Sequence, residues 1–423
     1  MDRLSELFPD SASFDRGELE VGGLPATGLA EQFGTPLVVY CEETLLARAR
    51  AYLGAAPDAL VLYSVKAFPN VALLRLFAGE GLGADVSTLG ELSYARRAGI
   101  PGERIVVHGN NKSDAELAAA AEAEAAFVVL DSLDEVERAA SAGVRRVLVR
   151  VTPGIDAETH DAIKTAHHGS KFGLPPDETI EAVAHALRAG LEVQGLHVHI
   201  GSQLLDLGAE RMTVDWLAGF ATACRKELGW LPEVIDLGGG LGVRHVDDEP
   251  SLDVRTFVDA LLRRVASAWA LHDLPPPRVV LEPGRSLVGD GALTLYRVGV
   301  VKRASETTTY VAIDGGMSDN PRPQLYGARY TALLANRAGE EPEGWFTVCG
   351  KHCESGDVLV ERLALPQPRR GDLLAVPATG AYTLGMGSNY NGVPRPAAVL
   401  VSGGEARLIR RRETEDDLLR LEA

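Results

Sequence analysis

The chain has 423 residues, 46% of them hydrophobic and 24% charged, the composition of an ordinary globular protein long enough for two domains. Its 42 Lys and Arg against 59 Asp and Glu leave a net charge of −17, which argues against nucleic acid or an anionic membrane as a partner. No apolar run approaches the roughly 20 residues of a membrane span, and Met1-Asp2-Arg3-Leu4-Ser5-Glu6 lacks the basic and apolar regions of a secretory signal. Cys41, Cys224, Cys349 and Cys353 form no CxxC and no zinc set, so a reducing cytoplasm and no metal are expected.

Residues 34–40 read as a strand and 42–52 as a helix. From there one unit repeats: a short apolar or β-branched run, a polar or glycine turn, then an amphipathic helix. The strands fall at 60–66, 84–88, 105–109, 127–132, 146–152, 195–201, 234–239 and 278–284, with alanine-rich helices such as 114–124, 132–142 and 176–189 between them. Strand alternating with helix implies parallel strands and right-handed crossovers. A count of eight predicts an α/β fold of the (β/α)8, TIM-like type, with an open doubly wound sheet as the fallback. Beyond residue 290 the pattern changes to strands at 293–301, 308–314, 345–350, 357–361, 372–377 and 397–402, separated by Gly, Pro and charge clusters. That stretch reads as an all-β domain, and 410–423 as a charged tail or short helix. The expected organisation is therefore an N-terminal segment, 1–35, packing on the β-domain, a barrel at 36–290 and the β-domain at 291–423.

Parallel barrels gather their chemistry at the C-terminal ends of the strands. Here those ends carry Lys66, Asp85, His108, Asp131, Arg150, His197 with His199, Asp236 before Gly238-Gly239-Gly240, and Glu282-Pro283-Gly284-Arg285. Cores avoid such groups unless they are paired, so a polar end on every strand points to function. Lys66 closes the apolar run Val61-Leu62-Tyr63-Ser64-Val65. As a lone lysine it reads as a snorkelling or ion-paired side chain, but among these neighbours as a Schiff-base lysine for an aldehyde cofactor. The glycine triplet and Glu282–Arg285, on the seventh and eighth strands, together read as a phosphate site. Alternation puts His197 and His199 on one side of a strand. A metal pair there lacks a third ligand; His197 suits the core with a satisfied ring nitrogen, and His199 a ring lying against a planar cofactor, with Ser202 donating to its phosphate.

Several segments in chain order carry a specific likeness: Tyr63-Ser64-Val65-Lys66-Ala67, Gly109-Asn110-Asn111-Lys112-Ser113, Ser170-Lys171-Phe172-Gly173, His197-Val198-His199-Ile200-Gly201-Ser202-Gln203, Glu282-Pro283-Gly284-Arg285, Asp314-Gly315-Gly316-Met317, Cys353-Glu354-Ser355-Gly356-Asp357 and Ser388-Asn389-Tyr390-Asn391. From about Thr35 to Val401 the chain resembles the diaminopimelate decarboxylases, pyridoxal-phosphate enzymes of the alanine-racemase-like fold group, in the ornithine, diaminopimelate and arginine decarboxylase family. The resemblance implies a barrel plus a β-domain, pyridoxal 5'-phosphate as cofactor, and a homodimer whose active sites are shared. It implies that Lys66 holds the cofactor's aldehyde, that Glu282 contacts the pyridine nitrogen and that His199 stacks on the ring. Ser202, Gly239, Gly240, Gly284 and Arg285 are implied around the phosphate. Arg285, Arg322 and Tyr326 are implied to grip an amino-acid substrate, and Tyr382 to touch substrate and cofactor. Cys353 and Glu354 are implied to come from the other subunit, Cys353 as proton donor, and Lys171 to serve an intersubunit ion pair or simply the surface.

The chemistry is consistent with these roles. A carboxylate at the pyridine nitrogen keeps it protonated, so the ring can accept the electron pair left by CO2. The carbon must then be reprotonated by an acid on one face, and a thiol can serve. The leading expectation is decarboxylation of meso-2,6-diaminopimelate to L-lysine, the last step of lysine biosynthesis. The alternative is a related decarboxylase of ornithine, arginine, carboxynorspermidine or a specialised-metabolism amino acid. An arginine for a distal carboxylate favours the first, since ornithine has no such group. A racemase is disfavoured because Glu282 strengthens the electron sink, and a non-catalytic cofactor carrier because such proteins resemble the barrel alone. Three departures stand out: Phe68, where the family more often has Asn, reads as a change at the pocket rim, Gly387-Ser388 stands where Ala-Ser is frequent, and the loop His167-His168-Gly169 is atypical.

Overall fold

A computed structural model describes residues 2–14, 17–154, 170–199 and 201–423. The atypical loop at 167–169, and Ile200 within the histidine motif, lie outside the described residues. The chain divides into two compact units, one of residues 48–242 and 252–286, the other of 1–47, 243–251 and 287–423.

In the first unit eight parallel strands close into a barrel that follows the chain: Leu60–Ser64, Gly83–Val86, Ile105–Val107, Phe127–Leu130, Arg146–Arg150, Glu192–His197, Val234–Asp236 and Arg278–Leu281. Closure pairs Val280 with Leu60 and Leu281 with Val61. Alternate residues Leu60, Leu62, Val106, Phe127, Val129, Leu148, Val234 and Val280 form one buried cluster. Their neighbours Val61, Tyr63, Val107, Val128, Val147 and Ile235 are buried too. Burial on both faces explains why these strands read as nearly continuous apolar runs.

The connecting helices begin where the sequence provides caps. Asn70 accepts the N–H groups of Ala72 and Leu73 at the head of Val71–Glu80. Thr88 caps Leu89–Ala98, and Ser113 with Glu116 forms a capping box on Asp114–Glu122. Such caps satisfy the otherwise orphaned first-turn donors. These three helices start within a few residues of the strand ends at Ser64, Val86 and Val107, leaving a short loop between strand and helix.

The second unit is a strand-rich sheet. Its strands run Val358–Leu365, Gly344–Cys349, Thr309–Ile313, Ala292–Arg303, Leu37–Cys41, Ala397–Ser402 and Glu405–Arg410, with Leu373–Pro377 on Ala292–Arg303 and Leu333–Leu334 on Leu373–Pro377. The twelve-residue strand changes partners along its length: Leu293 and Leu295 face Val39 and Leu37, while beyond a bulge Val300 to Arg303 pair with Ala312 to Thr309. Two cores result, one around Leu37, Leu293, Leu373 and Val399, into which Phe8, Leu19, Val21 and Leu29 also pack, and one around Tyr296, Val311, Phe346 and Leu363.

Here the structure departs from the sequence reading in three places. Leu37–Cys41, grouped by sequence with the barrel, joins this sheet between Ala292–Arg303 and Ala397–Ser402. Its five residues are buried on both faces, and an apolar run of that kind does not reveal which sheet it joins. Leu333–Leu334 is too short to show periodicity. Glu405–Arg410 is an edge strand rich in charge, and the tail beyond it forms a helix at Glu415–Leu419.

Candidate active site

The first barrel strand ends at Ser64 rather than at Lys66, and Val65–Ala67 forms a single 3-10 turn. Ser64 is fixed twice, its N–H donating to Pro283 O at 3.0 Å and its Oγ to Asp85 Oδ2 at 2.5 Å. The turn leaves Val65 and Ala67 buried and Lys66 exposed. Phe68 then enters the core instead of lining a rim: it is 0% exposed, and its backbone N–H and carbonyl both bond the Tyr63 hydroxyl at 3.1 Å. The charge of Lys66 reaches His199 and Glu91, where it enters the balance that sets their protonation.

At the centre of the strand ends lies a buried network. His108 Nε2 stands 2.5 Å from Glu282 Oε1 and 3.7 Å from Asp85 Oδ1, and His197 Nε2 lies 3.6 Å from Glu282 Oε2. The two imidazoles meet edge to face, 4.8 Å between centroids. Asp236 Oδ1 accepts the Gly238 N–H at 2.8 Å. Burial pushes the Glu282 carboxyl up, but the attraction and hydrogen bonds of His108 and His197 hold it well below the ordinary value. Asp236 is pushed well above its ordinary value by burial and then by the neighbouring Glu282 charge. Burial, followed by the charges of Lys66 and Arg150, holds His199 well below the ordinary histidine value. His197 is pushed down to about 3, chiefly by burial. The ring sits in the core as expected, its Nε2 turned to Glu282 while its Nδ1 has no hydrogen-bond partner among the described residues.

The ligand atoms of His108, His197, Asp236 and Glu282 lie within 4.8 Å of one another. That spacing alone would suit a cation. His108 and Glu282, however, are hydrogen-bonded at 2.5 Å, closer than two ligands spread tetrahedrally at about 2.1 Å from one ion. The cluster is a proton-sharing network, with Glu282 as its negative charge.

Loops beside this network fit an anion. Arg285 Nη2 donates to Ser202 Oγ at 3.3 Å, bringing together the loops after the sixth and eighth strands. Gly240 has φ +139°, and a Cβ there would meet Leu204 Cδ1 at 2.7 Å; one on Gly239 would meet Glu282 O at 2.4 Å. Leu204 N donates to Gly240 O and Gly242 N to Leu204 O, both at 2.9 Å, so the glycine loop is tied to the loop that bears Ser202. Arg150, half-buried, lies 3.9 Å from Asp131 and over the Phe172 ring. Lys171 caps the same ring at 4.9 Å. Amine, imidazole, carboxylate, and an arginine with a hydroxyl are the donor set an aldehyde cofactor with a pyridine ring and a phosphate requires. Lys66, His199, Ser202, Gly239, Gly240, Glu282, Gly284 and Arg285 thus all belong to the barrel unit.

The remaining predicted residues belong to the sheet unit. Arg322 opens the short helix Arg322–Tyr326 and is 6% exposed, yet its Nε and Nη1 have no hydrogen-bond partner among the described residues. Tyr326 is exposed. Cys353 and Glu354 lie exposed in a turn, where the Cys353 N–H donates to Asn391 Oδ1 at 2.9 Å. Tyr382 has φ +58°, a left-handed backbone that tyrosine seldom adopts and that often marks a functional position. Residues to which the sequence reading assigned no role include Glu91, Lys112, Glu135, His352 and Asp319. Burial of charge, the property that marks them, has no signature in a single sequence.

Comparison with known proteins agrees with this geometry. Residues 42–289 match the family model described as pyridoxal-dependent decarboxylase, pyridoxal binding domain. The diaminopimelate decarboxylase of Actinosynnema pretiosum subsp. auranticum is 45% identical over 98% of this chain and 95% of its own length. That of Bacillus subtilis is 41% identical over 98% of each. The crystal structure of the M. jannaschii diaminopimelate decarboxylase, a co-complex with L-lysine, superposes with a TM-score of 0.92 at 33% identity, covering 98% of each chain. The chain belongs to the pyridoxal-dependent decarboxylases, in the diaminopimelate decarboxylase family.

Proposed function

We propose that the chain removes CO2 from the D-centre of meso-2,6-diaminopimelate and releases L-lysine, using pyridoxal 5'-phosphate, as a cytoplasmic homodimer with shared active sites. The relatives' shared name, the donor set of the barrel and the bare Arg322 guanidinium support this reading. Bound pyridoxal phosphate supplies the ring that accepts the electron pair left behind by CO2.

The chain's own residues do the rest. Lys66 presents the amine that would hold the cofactor, its side chain exposed in the turn that follows the first barrel strand. Glu282, kept ionised by His108 and His197, holds a proton at the pyridine nitrogen. His199, held well below the ordinary histidine value by burial and nearby cations, would face the ring without adding a cation to the electron sink. Ser202, Gly239, Gly240, Gly284 and Arg285 bind the phosphate. Arg285 and Tyr382 orient the reacting end of the substrate, since the bond that breaks must stand perpendicular to the ring. Arg322, Tyr326 and Glu354 recognise the distal end. Cys353 of the other subunit holds the proton delivered to the carbon.

The observation that carries the choice of substrate is Arg322. A buried guanidinium with two unpaired edges costs several kcal/mol unless an anion meets it. The distal carboxylate of diaminopimelate is such an anion, and ornithine has none. The test is CO2 release by the cofactor-loaded protein from meso-diaminopimelate, L-ornithine and L-arginine in parallel. Release from the first alone, with L-lysine accumulating, is expected; turnover of ornithine or arginine in its place overturns the assignment.

A further inference from the structure

We propose that Asp357 is a positioning residue that holds two functional segments with one carboxylate: the turn bearing Cys353 and Glu354, and the loop leading to Arg322. This rests on the roles given above to Cys353 and Arg322. Asp357 closes the motif Cys353-Glu354-Ser355-Gly356-Asp357 and is 3% exposed, so it meets no substrate itself.

Its two oxygens divide the work. Oδ1 accepts the Met317 N–H at 2.8 Å. Oδ2 accepts the His352 N–H at 3.0 Å and lies 2.7 Å from His352 Nδ1. The backbone of Asp357 closes the same turn, Gly350 N donating to Asp357 O at 2.9 Å and Asp357 N to Glu354 O at 3.1 Å. Five residues beyond Met317 stands Arg322. A buried carboxylate accepting several N–H groups fixes their geometry more firmly than neutral bonds do.

Two independent features show that this contact is built. Gly316 and Gly350 flank the carboxylate so closely that a Cβ on either would meet an Asp357 oxygen, at 2.6 and 2.1 Å. A second link joins the same two segments: Gln324, on the Arg322 helix, donates from Nε2 to Gly356 O at 3.1 Å and to Val358 O at 3.0 Å. On its far side the Cys353 turn is held by Asn391 and by the stack of His352 on Tyr390, with centroids 6.0 Å apart and planes 15° apart.

The assignment predicts a kinetic pattern that a residue of general structural importance does not give. Cys353 acts after CO2 has left and Arg322 binds the substrate, so Cys353→Ala is expected to lower kcat and Arg322→Ala to raise KM for meso-diaminopimelate. Asp357→Asn, isosteric but facing one N–H with another, is expected to do both, by about tenfold each, in protein that still binds cofactor through the barrel unit. His352→Phe keeps the stack on Tyr390 and deletes only the Nδ1 bond. It is expected to lower kcat several-fold with KM unchanged, and it serves where Asp357→Asn fails to fold. Gly350→Ala, which displaces the same carboxylate, is expected to match Asp357→Asn without adding to it. Wild-type kinetics in Asp357→Asn or His352→Phe, while Cys353→Ala and Arg322→Ala behave as stated, overturns the inference and leaves the proposed function standing. Wild-type kinetics in Cys353→Ala and Arg322→Ala overturns that function, and the inference with it.

Discussion

His108 Nε2 lies 2.5 Å from Glu282 Oε1, and this contact settles which of the buried carboxyls carries charge. Two carboxyls, Asp236 and Glu282, end the paired strands Val234–Asp236 and Arg278–Leu281 and are both buried. Two coupled buried carboxyls disfavour ionising together. With both histidines turned toward it, Glu282 is held well below its ordinary value, while burial and the Glu282 charge push Asp236 well above its own, its Oδ1 still accepting from Gly238.

Glu282→Gln keeps the shape of the side chain and removes the charge. It is expected to lower kcat for CO2 release by at least about a hundredfold, roughly 2.7 kcal/mol in the barrier, with cofactor absorbance showing normal loading. His108→Gln, which only weakens the hold on Glu282, is expected to cost less. Equal losses in the two variants would contradict this order of dependence.

Arg322 is expected to show a conflict between stability and function. With two guanidinium nitrogens buried and unpaired, replacement by an apolar side chain of similar length removes an uncompensated charge. Arg322→Met is therefore expected to stabilise the substrate-free protein by about 1–3 kcal/mol, read from its unfolding midpoint, while KM for meso-diaminopimelate rises about a hundredfold. A variant that loses both stability and affinity would show that the guanidinium is already satisfied in the folded chain.

Both outcomes bear on how much the sequence reveals. The eight barrel strands were legible because each is an apolar run followed by a cap or glycine, and because Lys66, His199 and Glu282 stand at strand ends where a core residue has no reason to be polar. The sheet strands were legible by composition, except where a run such as Leu37–Cys41 is apolar on both faces and names no partner. The buried pairs were not legible. Lys112 looks like a loop lysine in Asn110-Asn111-Lys112-Ser113, yet it is 2% exposed. The pairing of the third and fourth barrel strands brings Glu135, 23 positions on, to 2.9 Å from its ammonium. Phe68 was misread for a related reason: the inward turn after Ser64 depends on Asp85 and Pro283, which are distant in sequence.

That lysine makes a direct test of the barrel. Lys112 Nζ donates to Gly109 O and Val129 O at 2.6 Å each, besides pairing with Glu135. Burial pulls its pKa down and the Glu135 charge resists; burial likewise pushes Glu135 up and Lys112 resists. Lys112→Met leaves the Glu135 carboxylate without its cation, held only by the Asp131 N–H, and is expected to destabilise the protein by about 3–5 kcal/mol. Adding Glu135→Leu is expected to restore part of that loss, measured as the shift in denaturation midpoint. A double variant no better than the single one would mean that the carbonyl contacts, not the ion pair, dominate.

The last test concerns a carboxyl that the proposed chemistry does not use. Glu210, in the first turn of Gly208–Leu228, is 1% exposed, and neither of its oxygens has a hydrogen-bond partner among the described residues. Burial, with a smaller push from Asp206 that Arg211 opposes, raises it from 4.5 to about 7. The sign follows from linkage: between those values the unfolded chain has released the proton and the folded chain has not. The penalty from this one group is therefore absent below about pH 4.5, grows as pH rises toward 7, and above 7 levels off at roughly 3 kcal/mol. Glu210→Leu removes the titrating group and is expected to abolish that share of the decline, so its advantage in unfolding midpoint grows from pH 5 to pH 7 and then levels off. An advantage that is constant across this range would show that the carboxyl is ionised and solvated in the native state, because only a proton retained on folding makes the difference depend on pH.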